Sequence, residues 1–157
     1  MGGALAVDAE HPANRGVLDS LRGRAEGRPL VREPGDGAFE HLGAGSHPDV
    51  VERLWDRIGP AAGEDCRAMV FGAPALVHPA AGVVLGVALG TSYALRLLAD
   101  DLQTAVAARA ALVHEYAVPR GTVLDLPDRF GSDWVFGSWN DEEPAWFARS
   151  FHHWSPR

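Results

Sequence analysis

The chain lacks lysine altogether: its 14 basic residues are all arginine. Schiff-base catalysis and a Walker-type phosphate loop each need an amine at a fixed place, so both are excluded. Cysteine is nearly as scarce. With Cys66 alone, neither an intrachain disulfide nor a multi-cysteine zinc site can form. A lone thiol of this kind is expected in the core, as a small hydrophobe. Long apolar runs are missing too, and the longest, 82–90, is too short to cross a bilayer as a helix. Residues 1–8 carry neither a basic segment nor a long apolar stretch, and position 6 is not Ser or Thr. No signal peptide, myristoyl anchor or membrane association is therefore expected, and the expected location is the cytoplasm. Positive charge is in deficit, with a net charge of −7. That argues against nucleic acid as a partner, because non-specific binding needs a basic footprint on the phosphates. The one arginine-rich stretch, Arg22, Arg24, Arg28 and Arg32, is diluted by Glu26, Glu33, Asp36 and Glu40 and reads as a solvated mixed segment.

What is present suits one domain. The chain has 157 residues, 46% of them hydrophobic and 22% charged. A domain of this length buries about two thirds of its extended surface and needs no covalent staple. Residues 1–45 form a Gly/Pro-rich N-terminal arm, expected to be loosely held, with turn signals at 27–29, 34–37 and 43–45. Within it the pattern predicts a short helix over 15–24, through Val17, Leu18 and Leu21, and a short strand at 30–32. Residues 46–157 form a single α+β domain.

In that domain Ser46 and Asp49 resemble a capping box. Val50, Val51, Leu54, Trp55 and Ile58 then trace one apolar helix face, stopped at Gly59 and Pro60. Strands are predicted at 67–71, 75–78, 83–89 and 92–98, with Gly and Pro in the intervening turns, the mark of an antiparallel meander. An alanine-rich helix follows at 99–112. Further strand-like stretches lie at 113–118, 121–126 and 132–139. Asn140 or Asp141 caps a closing helix, with Glu142, Glu143 and Pro144 in its first turn and Trp146, Phe147, Ser150, Phe151 and Trp154 on its buried face. The expected fold is an antiparallel sheet of about five strands with helices packed on one face.

This order resembles the small α+β domains of the TfoX N-terminal and YjbR-like group. The resemblance is carried by Met69 to Ala75 with its Phe-Gly-x-Pro turn, the hairpin to Leu89, Tyr93 to Leu97, Asp133 to Val135 and the acid-started helix from Glu142, and it covers about residues 47–154. The chain departs from the group at His78 to Gly82, where members usually carry a Lys or Asn-Gly turn, and over 107–129. The resemblance implies a fold. Members have been linked to competence regulation or to DNA binding, but no catalytic residue set comes with the fold.

Reactive constellations are hard to find. His41, His47, His78, His114, His152 and His153 are scattered, with no H-E-x-x-H motif, so no metal site is expected. A G-x-S-x-G elbow is absent, and the glycine-rich stretches lack the context of a dinucleotide site, so no cofactor is implied. The acid pairs Asp100/Asp101 and Glu142/Glu143 fall at predicted helix starts, where the dipole accounts for them. The aromatic cluster Trp134, Trp139, Trp146, Phe147, Phe151 and Trp154 stands out. It serves as core between sheet and helix, or part of it lines a groove for a partner with Asp141, Glu142 and Glu143 as an acidic rim. The reading that follows is a non-catalytic module that binds another protein, or its own copy, through Trp134, Trp139, Trp146 and Trp154. Two alternatives stay open: a small-molecule pocket or weak enzyme using His78 and nearby carboxylates, and a DNA-associated regulator like the resembled group.

Overall fold

The computed structural model describes residues 7–24, 27–32, 46–116 and 130–156, with backbone alone for 112–116. Six strands form one antiparallel sheet in chain order: β1 (Val31–Arg32), β2 (Arg67–Val70), β3 (Ala73–Val77), β4 (Val84–Leu89), β5 (Ser92–Arg96) and β6 (Trp134–Phe136). Every neighbouring pair is antiparallel, so the fold is α+β with a continuous meander. Among the described residues four α-helices accompany it: α1 (Arg15–Arg24), α2 (Pro48–Glu52), α3 (Ala99–Tyr116) and α4 (Glu143–Trp154).

β3, β4 and β5 are buried on both faces, which is why their sequences read as apolar runs rather than strict alternation. On one face Val50, Leu54 and Ile58 of the α2 segment join Trp146, Phe147 and Phe151 of α4 over Leu76, Leu85, Tyr93 and Leu95. This is the expected helical layer. The opposite face is covered as well. Val17, Leu18 and Leu21 of α1, with Phe130, pack on Ala75, Val77, Val84, Val87, Trp134 and Phe136. The part of the arm that contains α1 is therefore built into the core. Asn14 fixes its entry: its amide donates to the carbonyls of Asp8 and Gly82, both at 2.8 Å, and its Oδ1 accepts from the Val84 backbone at 2.9 Å.

A bulge aligns the two faces. Leu76 pairs with Gly86 but Val77 with Val84, so Leu85 has no partner on β3. Leu85 and Gly86 consequently face the same side. A Cβ on Gly86 would come within 3.1 Å of Leu54 Cδ1, so this position gives Leu54 a flat seat.

Three expectations are corrected. His47, not Ser46, caps α2, its Nδ1 accepting from Asp49 N at 3.1 Å. The segment after α2 does not stay α-helical: Arg53–Ile58 is wound as a π-helix, ending with Gly59 N donating to Leu54 O. The strand predicted at 113–118 is helix as far as Tyr116, because α3 extends through it at one hydrogen bond per added residue. The strand predicted at 121–126 lies outside the described residues, as do the turn signals at 34–37 and 43–45.

Candidate functional site

A buried polar cluster forms where β5, the π-helical segment, the exit of β6 and the start of α4 meet. Glu143 is fully buried, although its place in the first turn of α4 suggested an exposed dipole partner and a share in an acidic rim. Its Oε1 accepts from Arg53 Nε at 2.9 Å and Arg53 Nη2 at 2.5 Å, and its Oε2 accepts from Ser138 Oγ at 2.5 Å. Tyr93 Oη lies 2.6 Å from both oxygens and shares its one proton between them. The same phenol oxygen accepts from Arg53 Nε at 3.1 Å and from Trp139 N at 3.0 Å. Arg53 Nη2 also donates to Asn140 O at 3.0 Å. Burial, then the Glu143 charge, pushes the Tyr93 phenol well above its ordinary value. For Arg53, burial opposes the charge, but Tyr93 and Glu143 outweigh it and hold the guanidinium above its ordinary value. The cluster is thus a closed ion pair with its lone pairs satisfied.

Trp139 caps this cluster. It has a positive φ of 49°, rare for a bulky residue, and follows Gly137, whose φ is 55°. The two left-handed residues turn the chain out of β6 and send the indole to the surface, where 42% of the residue is exposed. Arg53 lies 5.2 Å from the ring centroid, and Tyr93 meets the ring edge-on at 4.9 Å. Trp139 is therefore an exposed aromatic held rigidly from behind.

The other expected site residues fall elsewhere. Trp146 is core beneath α4. Trp134 lies on the opposite face of the sheet, so the aromatic cluster is divided between the two sides. Between Trp134 and Trp154 sits the buried Arg96, its guanidinium 4.8 and 5.6 Å from their ring centroids. Arg96 Nε donates to Val84 O at 3.0 Å, Nη2 to Ala13 O at 2.7 Å and Nη1 to Asp133 Oδ2 at 3.0 Å. Burial pulls its pKa below the ordinary value against the pull of Asp133. Glu142 is exposed, its backbone N–H donating to Asn140 Oδ1 at 2.8 Å.

His78 is buried and committed to the fold. Its Nδ1 accepts from the backbone of Ala80 and Ala81, both at 3.1 Å, which places the proton on Nε2, 3.0 Å from Ser155 Oγ. The Ser155 hydroxyl in turn donates to Phe151 O at 3.2 Å, and the ring stacks on Phe151 at 4.1 Å. Burial lowers the His78 pKa. A depressed folded value makes the neutral form part of the native state. Its contribution to stability is present above about pH 6.5, the unfolded value, and is lost as pH falls from there through the folded pKa. Thermal melts between pH 7.5 and 5 should show this fall for the wild type and a flatter profile for His78→Phe; parallel profiles would contradict it.

Cys66 is buried too, its thiol pushed up to about 12 by burial and then by the charges of Glu64 and Asp65. A thiol so held is no nucleophile near neutral pH. It borders a cleft of about 460 Å³ with Trp55, Glu64 and Arg67. Among the described residues no three His, Cys, Asp or Glu side chains gather as a metal site, and no helix is long and apolar enough to cross a membrane.

The residues that sequence reasoning missed are Arg53, Tyr93 and Ser138 as a unit. In sequence Arg53 falls between the apolar positions of its helix, on the side expected to be wet, and Tyr93 alternates with Leu95 and Leu97 as one more buried strand position, so no local signal links them. Comparison with family models, with curated proteins and with solved structures found no match.

Proposed function

We propose that the chain is a non-catalytic module that docks another protein through Trp139. The observation that carries this reading is an exposed tryptophan in a left-handed backbone conformation, supported by a buried Arg53–Glu143–Tyr93–Ser138 cluster. Strain of this kind persists where the surroundings over-determine it, and it clusters at functional positions. Tryptophan is among the residues most enriched at the energetic centres of protein interfaces. The hydrogen-bonded groups of the cluster are turned on one another, which suits positioning rather than turnover. The order of meander and closing helix fits the TfoX N-terminal and YjbR-like resemblance. We favour a protein over duplex DNA because the exposed acids Asp141 and Glu142 lie two and three residues beyond the ring.

Proteins retained from native extract by the immobilised chain should be lost with Trp139→Gly. They should be kept with Val106→Ala, which alters an exposed hydrophobe on α3. Glycine accepts the positive φ, so this variant should melt within a few degrees of the wild type while binding falls by about 2 kcal/mol or more, roughly 30-fold. Equal retention by Trp139→Gly and wild type would refute the reading.

A further inference from the structure

We propose that the occupant of Trp139 is a cationic protein segment that lays an arginine or lysine head group on the outer face of the indole. This rests on the docking reading above and adds the chemistry of the partner. One face of the ring is taken by the Arg53 guanidinium at 5.2 Å, and the Tyr93 ring stands at 83° to it with centroids 4.9 Å apart. A second cation on the outer face would ordinarily be repelled by the first. Here the Arg53 charge is cancelled by the fully buried Glu143, whose Oε1 accepts two of its N–H groups. The outer face therefore keeps the negative potential of an indole quadrupole, the feature that attracts a guanidinium or ammonium group.

The surrounding charge has the matching sign. Asp141 and Glu142 lie two and three residues beyond Trp139 and are exposed. Asp49 precedes Arg53 by one turn, its side chain 86% exposed and one carboxylate oxygen 3.9 Å from His47 Nδ1. On the elements that flank the cluster, Arg57 pairs with Glu52 at 3.5 Å and Arg149 with Asp101 at 2.9 Å. An apolar partner would bury these acids unpaired and an acidic one would be repelled, whereas a basic segment meets them with complementary charge. The net charge of −7 steers the same class of partner from a distance.

The test is a titration of the full-length chain, labelled at the tryptophan indole nitrogens, with three nonapeptides of equal length: arginine-rich, leucine/alanine-rich and glutamate-rich. The Trp139 indole resonance is assigned by its absence in Trp139→Ala. The arginine-rich peptide alone should move it. Its affinity should drop about tenfold in the Asp141→Asn/Glu142→Gln double variant and fall with added salt, since paired charges near a surface are screened. Movement by the leucine/alanine-rich peptide in place of the arginine-rich one would overturn the assigned chemistry and leave docking at Trp139 intact. Binding of the arginine-rich peptide that persists undiminished in Trp139→Ala would show a diffuse acidic surface and overturn the proposal. Silence of the resonance with all three peptides at millimolar concentration would also overturn it, and the docking reading would then stand or fall on the retention experiment alone.

Discussion

Replacing Glu143 by alanine should cost about 3–5 kcal/mol, the usual penalty for removing one partner of a buried ion pair. Three donors lose their acceptor at once: the Tyr93 and Ser138 hydroxyls and the Arg53 guanidinium. Arg53 retains some access to water, with 19% of its side chain exposed, which places the expected loss near the lower end of that range. In a chain of this length the melting temperature should fall by about 10 °C, read by circular dichroism. Replacing both charges together, Arg53→Met with Glu143→Leu, should cost less than Glu143→Ala alone, because no charge is then stranded. A Glu143→Ala melt within 2 °C or so of the wild type, well inside that expected shift, would mean that the cluster contributes little to holding α4 on the sheet.

Arg96→Leu should produce a loss of similar size, about 3 kcal/mol. The substitution strands the carbonyls of Val84 and Ala13, and an unsatisfied buried acceptor costs about 1–3 kcal/mol. Asp133 suffers less, since 42% of its side chain already meets solvent. Arg96→Lys should recover little. One ammonium cannot reach three acceptors in the directions set by a planar fork, nor stack between Trp134 and Trp154 as a flat group does. The check is the urea midpoint at unchanged m-value, with hydrogen exchange over 15–24. Faster exchange in α1 is expected, because Arg96 holds Ala13 within the Pro12–Asn14 turn that leads into it. Full stability in Arg96→Lys would show that charge alone suffices there.

The legible part of this molecule is the part specified by neighbours in sequence. Val17, Leu18 and Leu21 announce α1, and the Gly and Pro turns divide the meander into its strands at close to their true bounds. Period and turn chemistry are local properties, so a single sequence exposes them. The candidate site is different. Arg53 and Glu143 are ninety positions apart, and Tyr93 lies between them in sequence. An arginine on a helix and a glutamate in a first turn each have an ordinary surface explanation, and only the fold reveals that they cancel one another in the interior. The π-helical winding over Arg53–Ile58 was hidden for a similar reason: its apolar spacing fits an α-helix equally well. Trp139 stands out in the sequence by residue type alone, while the left-handed turn that presents it depends on Gly137 and the Tyr93 hydroxyl together. Alternation with Tyr93, Leu95 and Leu97 assigns Arg96 to a wet face of β5, and the α1 layer removes that face.

The meander also bears on how the molecule assembles during synthesis. Each strand from β2 to β5 meets its neighbour within a few residues, so hairpins can close while translation is still under way. The carboxylate that neutralises Arg53 is delivered only by the last helix. Arg53 and Tyr93 precede that carboxylate by 90 and 50 residues, so neither finds its buried partner before α4 emerges, and the backbone turn at Trp139 gains its support at the same point.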